Sequence, residues 1–194
     1  MYQKFDGGHD LKHCFAVRDM AVLLAQKYLP DKVELAYVAA TLHDIGLSVD
    51  RENHESEGEK LIRHDQYLIN NLSPKDFEEI CYAVKEHRAS TGHPRSILAK
   101  IISDADRGGC KSSADAFNRA YQYGLKNNPE LNDDGQILRA AEHQIQKFFP
   151  GSYGRRTYFP ETEERLSQIY DPIIKAYQEH NFKFLRSLVH PLVK

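Results

Sequence analysis

Apolar residues along most of the chain recur every three or four positions, which is the spacing of an amphipathic helix. No stretch shows the apolar and polar alternation of a half-buried strand. Proline, glycine and polar clusters interrupt the pattern, which predicts helices over about residues 10–28, 31–46, 54–70, 73–88, 95–107, 112–126, 134–148 and 161–180. The fold class is therefore all-α, with a helical core over about residues 9–110 and a C-terminal helical extension over about 111–194.

Individual residues predict where some of these helices begin and end. Asp31 followed by Glu34 resembles a capping box at a helix start. Gly46 is a favourable residue for a helix C-terminus. Ser73 followed by Pro74 predicts an N-cap with proline at the first helical position.

Composition and charge narrow the class of protein. Apolar residues make up 41% and charged residues 28% of the 194, which is typical of one soluble globular domain. The net charge of −2 argues against a dedicated nucleic-acid or anionic-membrane binder. No apolar run approaches the roughly 20 residues of a membrane span, and the N-terminus lacks a signal-peptide core, so we expect a cytoplasmic protein. The three cysteines lack metal-ligand spacing, so a metal would be bound by nitrogen and oxygen atoms.

Four polar residues lie on apolar faces of predicted helices, three, four or seven positions from apolar neighbours: His13, His43, His87 and Asp106. Taken singly, each histidine fits a hydrogen-bonded core residue. A buried carboxylate, however, is costly unless it is paired or bound to a cation. Asp44 follows His43 and lies about 100° further round the helix, so it flanks the same interior space. A divalent metal ion would satisfy this whole set.

The His-Asp dipeptide occurs three times, and only His43-Asp44 combines an apolar face with partners elsewhere. The pair at residues 9–10 follows a glycine-rich lead-in, where the aspartate suits a helix N-cap. The pair at residues 64–65 has polar neighbours and no apolar stripe. We expect both of these pairs at the surface. Periodicity alone also predicts that His54 is an exposed loop residue.

The ordered set of histidines and aspartates resembles the HD-domain superfamily of metal-dependent phosphohydrolases. The resemblance covers roughly residues 9–110 and rests on the segments HCFAVRDMA, LHDIG, ENHESEGEKL, VKEHR and KIISDADR. It implies an HD-domain helical bundle and, by its two extra histidines, the subset that binds two metals. In that subset one ion would have the ligands His13, His43, Asp44 and Asp106. The second ion would be bound by His54 and His87, with Asp44 bridging both.

The resemblance also implies a reaction. Two ions would provide a metal-bridged hydroxide that attacks phosphorus in a phosphomonoester or phosphoanhydride, such as a nucleotide or dinucleoside polyphosphate. The mixed ligand set suits Fe, Mn, Co, Ni or Zn better than Mg. Asp104 is an alternative last ligand, and it suits a catalytic role in orienting water beside Asp44. The last motif, KIISDADR, is followed here by Gly108 and Gly109 instead of the residues that usually continue it in the family. The substrate contacts near this motif are therefore expected to differ from those of the family.

Positive side chains near the ligands are candidates for binding substrate phosphate: Arg88, Lys100, Arg107 and Lys111. Each of them singly fits an ordinary solvated helix end equally well. Two other functions stay open: HD-type di-iron oxygenases use a similar ligand set, and a regulatory module could bind a metal or nucleotide without catalysis. Apolar residues of the last predicted helix fit either core packing or a homodimer contact.

Overall fold

In a computed structural model, residues 11–189 are described, and over that range the chain forms ten α-helices and no strand. The all-α prediction is confirmed. The first six helices are α1 (Leu11–Tyr28), α2 (Val33–Leu42), α3 (His54–Arg63), α4 (Gln66–Asn71), α5 (Pro74–Glu86) and α6 (Ile97–Gly108). The remaining four are α7 (Ser113–Asn127), α8 (Asp133–Phe148), α9 (Pro160–Gln178) and α10 (Phe182–Ser187). The His-Asp pair at residues 9–10 lies outside the described residues.

The chain divides into two compact units between Gly109 and Cys110. In the first unit, α1 packs against α2 and α6, while α5 packs against α2, α3 and α6. This packing buries apolar side chains from each of these helices, among them Val17, Ala36, Ile62, Ile80 and Ile102. In the second unit, α7, α8 and α9 pack around a separate core that includes Phe117, Ile137, Leu166 and Ile173. The assignment of all 194 residues to one domain stays a prediction.

The second predicted helix is shorter than the sequence suggests. A 3₁₀ turn over Pro30–Lys32 precedes α2, whose N-cap residue Lys32 makes no capping hydrogen bond through its side chain, so the predicted capping box at Asp31 was wrong. The helix ends at Leu42 because Asp44 adopts φ −100° and ψ 9°, outside the helical range, and a 3₁₀ turn over Ile45–Ser48 follows. His43 is therefore the C-cap residue of α2, and Asp44 lies in a tight turn.

The predicted helix over residues 54–70 is two helices. The break falls at the His64-Asp65 pair, where the extended backbone of Asp65 lets its carboxylate accept a hydrogen bond from the Leu68 amide at 3.0 Å. His64 ends α3, and its Nδ1 lies 2.7 Å from the Lys60 carbonyl oxygen. This His-Asp pair therefore caps helices at the surface, which is an ordinary use of aspartate at an N-cap.

Other predicted boundaries agree with the structure. Ser73 caps α5 by accepting the Asp76 amide at 3.1 Å, with Pro74 at the first helical position. The helices after residue 110 begin and end within a few residues of the predicted positions, and α10 is an addition that the pattern missed. Among the described helices, none has the length and apolarity that crossing a bilayer requires.

Candidate metal centre

Three elements of the first unit bring His13, His43 and Asp106 together. His13 lies in the first turn of α1, His43 ends α2 and Asp106 lies near the end of α6. His13 Nε2 is 3.1 Å from Asp106 Oδ1, and His43 Nε2 is 3.9 Å from the same oxygen. These three residues form one group whose ligand atoms all lie within 4.8 Å of one another.

His54 and His87 form a second group with Asp44. His54 is the first residue of α3 and His87 is the C-cap residue of α5. Their Nε2 atoms are 3.3 Å apart, and they lie 3.6 and 3.7 Å from Asp44 Oδ1. His54 is buried, so the expectation of an exposed loop residue, drawn from periodicity alone, was wrong. The start of α3 packs inward in a way that local periodicity does not reveal.

Asp44 joins the two groups through different oxygen atoms. Its Oδ2 lies 3.1 Å from His43 Nε2 and 3.7 Å from His13 Nε2, while Oδ1 faces the second pair of histidines. The side chain of Asp44 is only 3% exposed, so these imidazoles, rather than water, surround the carboxylate. One buried carboxylate is therefore positioned between two pairs of imidazole rings.

The backbone orients three of the four rings. In His43, Nδ1 lies 2.7 Å from the carbonyl oxygen of Ala40. In His87, Nδ1 lies 2.6 Å from the carbonyl oxygen of Val84. In His54, the corresponding distance to the carbonyl oxygen of Arg51 is 3.1 Å. A carbonyl oxygen only accepts hydrogen bonds, so Nδ1 is the atom that donates. In the neutral rings Nε2 then presents a lone pair to the centre. This is the tautomer and orientation required of a metal ligand.

The donor atoms fit a divalent cation. With Nδ1 as the donor, the Nε2 lone pairs of His54 and His87 face each other at 3.3 Å, which is unfavourable without a positive charge between them. Within residues 11–189, His43 Nε2 and Asp44 Oδ2 are buried and make no hydrogen bond of acceptable geometry. Ligand atoms about 2.0–2.2 Å from one ion lie roughly 3–3.5 Å from one another, close to several separations found in this centre.

Burial and charge act in opposite directions on these groups. Burial lowers the pKa of His43, but the negative charges of Asp44 and Asp106 outweigh it and raise the pKa to about 9. Burial raises the pKa of Asp44, but the imidazoles around it outweigh that effect and hold the pKa well below its usual value. Burial, followed by the nearby His87, lowers the pKa of His54. Without a metal, a proton on His43 therefore partly compensates the carboxylates.

A close backbone crossing at Gly46 positions His54, so this glycine does more than end a helix. A Cβ atom added to Gly46 would lie 1.9 Å from the His54 carbonyl oxygen and 2.4 Å from the Gly58 amide nitrogen. A Cβ atom on Gly58 would be 3.0 Å from Val84 Cγ1. The glycine spacing in LHDIG and HESEG could have indicated this approach, which brings α3 against the turn after Asp44.

Two residues predicted to act in catalysis or substrate binding pair with each other instead. Asp104 Oδ1 accepts a hydrogen bond from Arg107 Nη1 at 2.9 Å, and both side chains are buried. Asp104 is fully enclosed, whereas the side chain of Asp106 is 27% exposed. The ion pair favours a structural role over the expected water-orienting role of Asp104 and phosphate-binding role of Arg107.

The other predicted phosphate-binding residues have different surroundings. Arg88 follows His87, and its Nη1 donates to the Glu52 carbonyl at 2.5 Å and contacts Glu55 at 3.3 Å. Lys100 lies six residues before Asp106, about 240° round α6, and thus on a different face of that helix. Lys111 is exposed in the second unit, where its amide donates to an aspartate. Arg88 thus lies beside the proposed ligand His87 and contacts the helix that bears His54.

Comparison with known proteins agrees with the arrangement of these residues. The family model of the HD domain matches residues 10–107, just over half of the chain. No curated protein and no solved structure matches it. HD-domain proteins are mostly metal-dependent hydrolases, and the two groups of histidine and aspartate indicate divalent metal binding. On the match over residues 10–107, the chain belongs to the HD-domain family.

Proposed function

We propose that the protein is a metal-dependent phosphohydrolase that uses two divalent transition-metal ions. The observation that carries this proposal is the position of Asp44, whose two oxygen atoms face different pairs of histidines. A carboxylate placed in this way suits a bridge between two ions. The substrate is a small phosphomonoester or phosphoanhydride, with nucleotides and dinucleoside polyphosphates as the first candidates.

Each ion has its own group of ligands in this proposal. The first would be held by His13, His43 and Asp106, the second by His54 and His87, and Asp44 would contribute one oxygen to each. Four imidazoles with two carboxylates favour Fe, Mn, Co, Ni or Zn, because Mg prefers oxygen ligands and retained waters. When bound, such ions activate water near neutral pH and polarise a phosphoryl oxygen.

The side chains of the centre also determine how substrate approaches. Asp106 is 27% exposed, whereas Asp44, His13 and His87 are almost fully enclosed. The centre is therefore more open to solvent beside Asp106 than around Asp44, His13 and His87. The buried imidazoles exclude bulk water from the interior of the centre, which strengthens electrostatic interactions with a bound anion.

The proposed function is tested by measuring metal content and screening substrates. Purified protein is expected to contain two transition-metal ions per chain and to release phosphate from at least one member of a panel of phosphorylated metabolites. A mixed-valence di-iron EPR signal without phosphate release would indicate an oxygenase instead. A chain that binds a nucleotide but holds no metal and turns over nothing would indicate a regulatory module.

Replacing His54 by alanine is expected to remove the second ion preferentially. His54 faces only the Oδ1 side of Asp44, so the first group retains all of its ligands. Elemental analysis at limiting free metal should show close to one ion per chain instead of two. The matched control is His64→Ala, a surface histidine at the opposite end of the same helix, which should retain both ions. Two ions at full occupancy in His54→Ala would contradict the assignment.

Removing metal with a chelator is expected to lower the melting temperature, because an ion that binds only the folded chain stabilises it. At a free metal concentration about 1,000 times the dissociation constant, this stabilisation amounts to about 4 kcal/mol.

The metal affinity is expected to depend on pH through His43, whose pKa is raised to about 9 by the nearby carboxylates. Its proton must leave before metal binds, so affinity should increase from pH 6.5 to pH 9, with proton release measurable by calorimetry in two buffers. An affinity that does not change over this range would contradict the prediction.

A further inference from the structure

Arg88 lies beside the proposed ligand His87, and among the described residues only one of its nitrogen atoms is used in hydrogen bonding. Nη1 donates to the Glu52 carbonyl and contacts the Glu55 carboxylate. In the described part of the chain, Nε and Nη2 make no hydrogen bond. The N–H groups of these two atoms point the same way along one edge of the planar guanidinium, which is the edge that binds a phosphate through two parallel hydrogen bonds.

The contacts of Nη1 hold the guanidinium against the start of α3, which bears the proposed ligand His54. Arg88 directly follows His87, and Glu52 and Glu55 flank His54 at the start of α3. Glu55 Oε2 is 3.4 Å from His54 Nδ1 and 3.3 Å from Arg88 Nη1. The Arg88 side chain is 35% exposed, so a solute can reach it, whereas Arg107 is buried in its pair with Asp104.

We propose that Arg88 binds two oxygen atoms of the substrate phosphoryl group through Nε and Nη2, while Glu52 and Glu55 hold the guanidinium in place. This inference rests on the proposed function and specifies how the site selects an anionic substrate. A guanidinium that is already held by Nη1 loses less conformational freedom when the anion arrives. The free edge then favours a group that presents two unesterified anionic oxygen atoms, such as a phosphoryl group, over a neutral one.

The chain offers a matched control at the opposite ends of the same two helices. Arg63, at the end of α3, donates from Nε to Glu59 and from Nη1 and Nη2 to Glu78 on α5. It links α3 to α5 as Arg88 does, but all of its nitrogen atoms are used. Arg63 lies nine residues after His54, about 13 Å along the helix axis. Arg63→Gln therefore removes the same charge without touching the metal centre.

The test uses metal-loaded protein, inorganic phosphate as the probe and the variants Arg88→Gln, Arg88→Lys and Arg63→Gln. We expect Arg88→Gln to weaken phosphate binding about 10- to 100-fold with metal content unchanged, as for loss of a bidentate charged contact. Arg88→Lys should lie between Arg88→Gln and the parent, since it keeps the charge and loses the planar edge. Arg63→Gln should melt at a lower temperature but bind phosphate as the parent does.

Each outcome supports or overturns the inference. Parent affinity for phosphate in Arg88→Gln at full metal content overturns it, while continued turnover in that variant leaves the proposed function intact. If Arg88→Gln loses metal, Arg88→Lys decides, and parent affinity in that variant overturns the inference. A metal-loaded parent that neither binds phosphate nor hydrolyses any phosphoester overturns the proposed function together with the inference.

Discussion

Replacing Asp44 by alanine is expected to abolish phosphate release and to remove both metal ions while the chain stays helical. Among residues 11–189, Asp44 is the carboxylate whose oxygens face both pairs of histidines, so its loss takes a ligand from each group. The helices are held by apolar cores that the substitution does not touch. Elemental analysis, a phosphate-release assay and circular dichroism measure the three results. Asp44→Asn, which keeps the volume but not the charge, is expected to behave in the same way.

The chain provides a control for this experiment in its surface His-Asp pair. Asp65 is also preceded by a histidine, but it caps α4 at the surface. Asp65→Ala should cost about 1 kcal/mol of stability through the lost cap and leave metal content and turnover unchanged. His43→Ala should match Asp44→Ala in losing turnover. Full phosphate release in either Asp44→Ala or His43→Ala would reject the proposed centre.

The helical periodicity correctly predicts the burial of three histidines of this centre. His13, His43 and His87 were expected on buried faces because each continues a row of apolar residues, and all three are buried. The same pattern gave the all-α fold and most helix boundaries. Such patterns work here because a helix that buries one face must place every third or fourth side chain inside, polar or not.

Periodicity fails where the position of a side chain depends on backbone geometry rather than on a helix face. His43 and Asp44 were expected in one continuous helix, but His43 keeps helical backbone angles while Asp44 lies in the turn that follows. His54 begins a helix whose first turn is turned inward by its contact with Gly46. The mutual burial of Asp104 and Arg107 likewise depends on their tertiary surroundings. No local pattern specifies these features, because each depends on how separate elements meet.

Replacing Gly46 by alanine tests whether the close approach of this residue to the start of α3 positions the second group of ligands. The added methyl would lie 1.9 Å from the His54 carbonyl oxygen and 2.4 Å from the Gly58 amide, and neither backbone atom can move away alone. The start of α3 must therefore shift, which carries His54 away from His87. We expect a loss of about 3 kcal/mol of unfolding free energy, the upper part of the usual range for overpacking, together with preferential loss of the second ion.

Urea unfolding and elemental analysis measure the two effects, with Gly135→Ala as the control. Gly135 lies in the first turn of α8. The nearest atoms to a Cβ atom added there would be side-chain atoms at 3.3 Å or more. Alanine is the better helix former, by about 1 kcal/mol, so this variant should be no less stable than the parent and should retain both ions. Parent stability and two bound ions in Gly46→Ala would show that the close crossing does not position His54. If this variant lost stability but kept both ions, the crossing would support the fold without determining the ligand geometry.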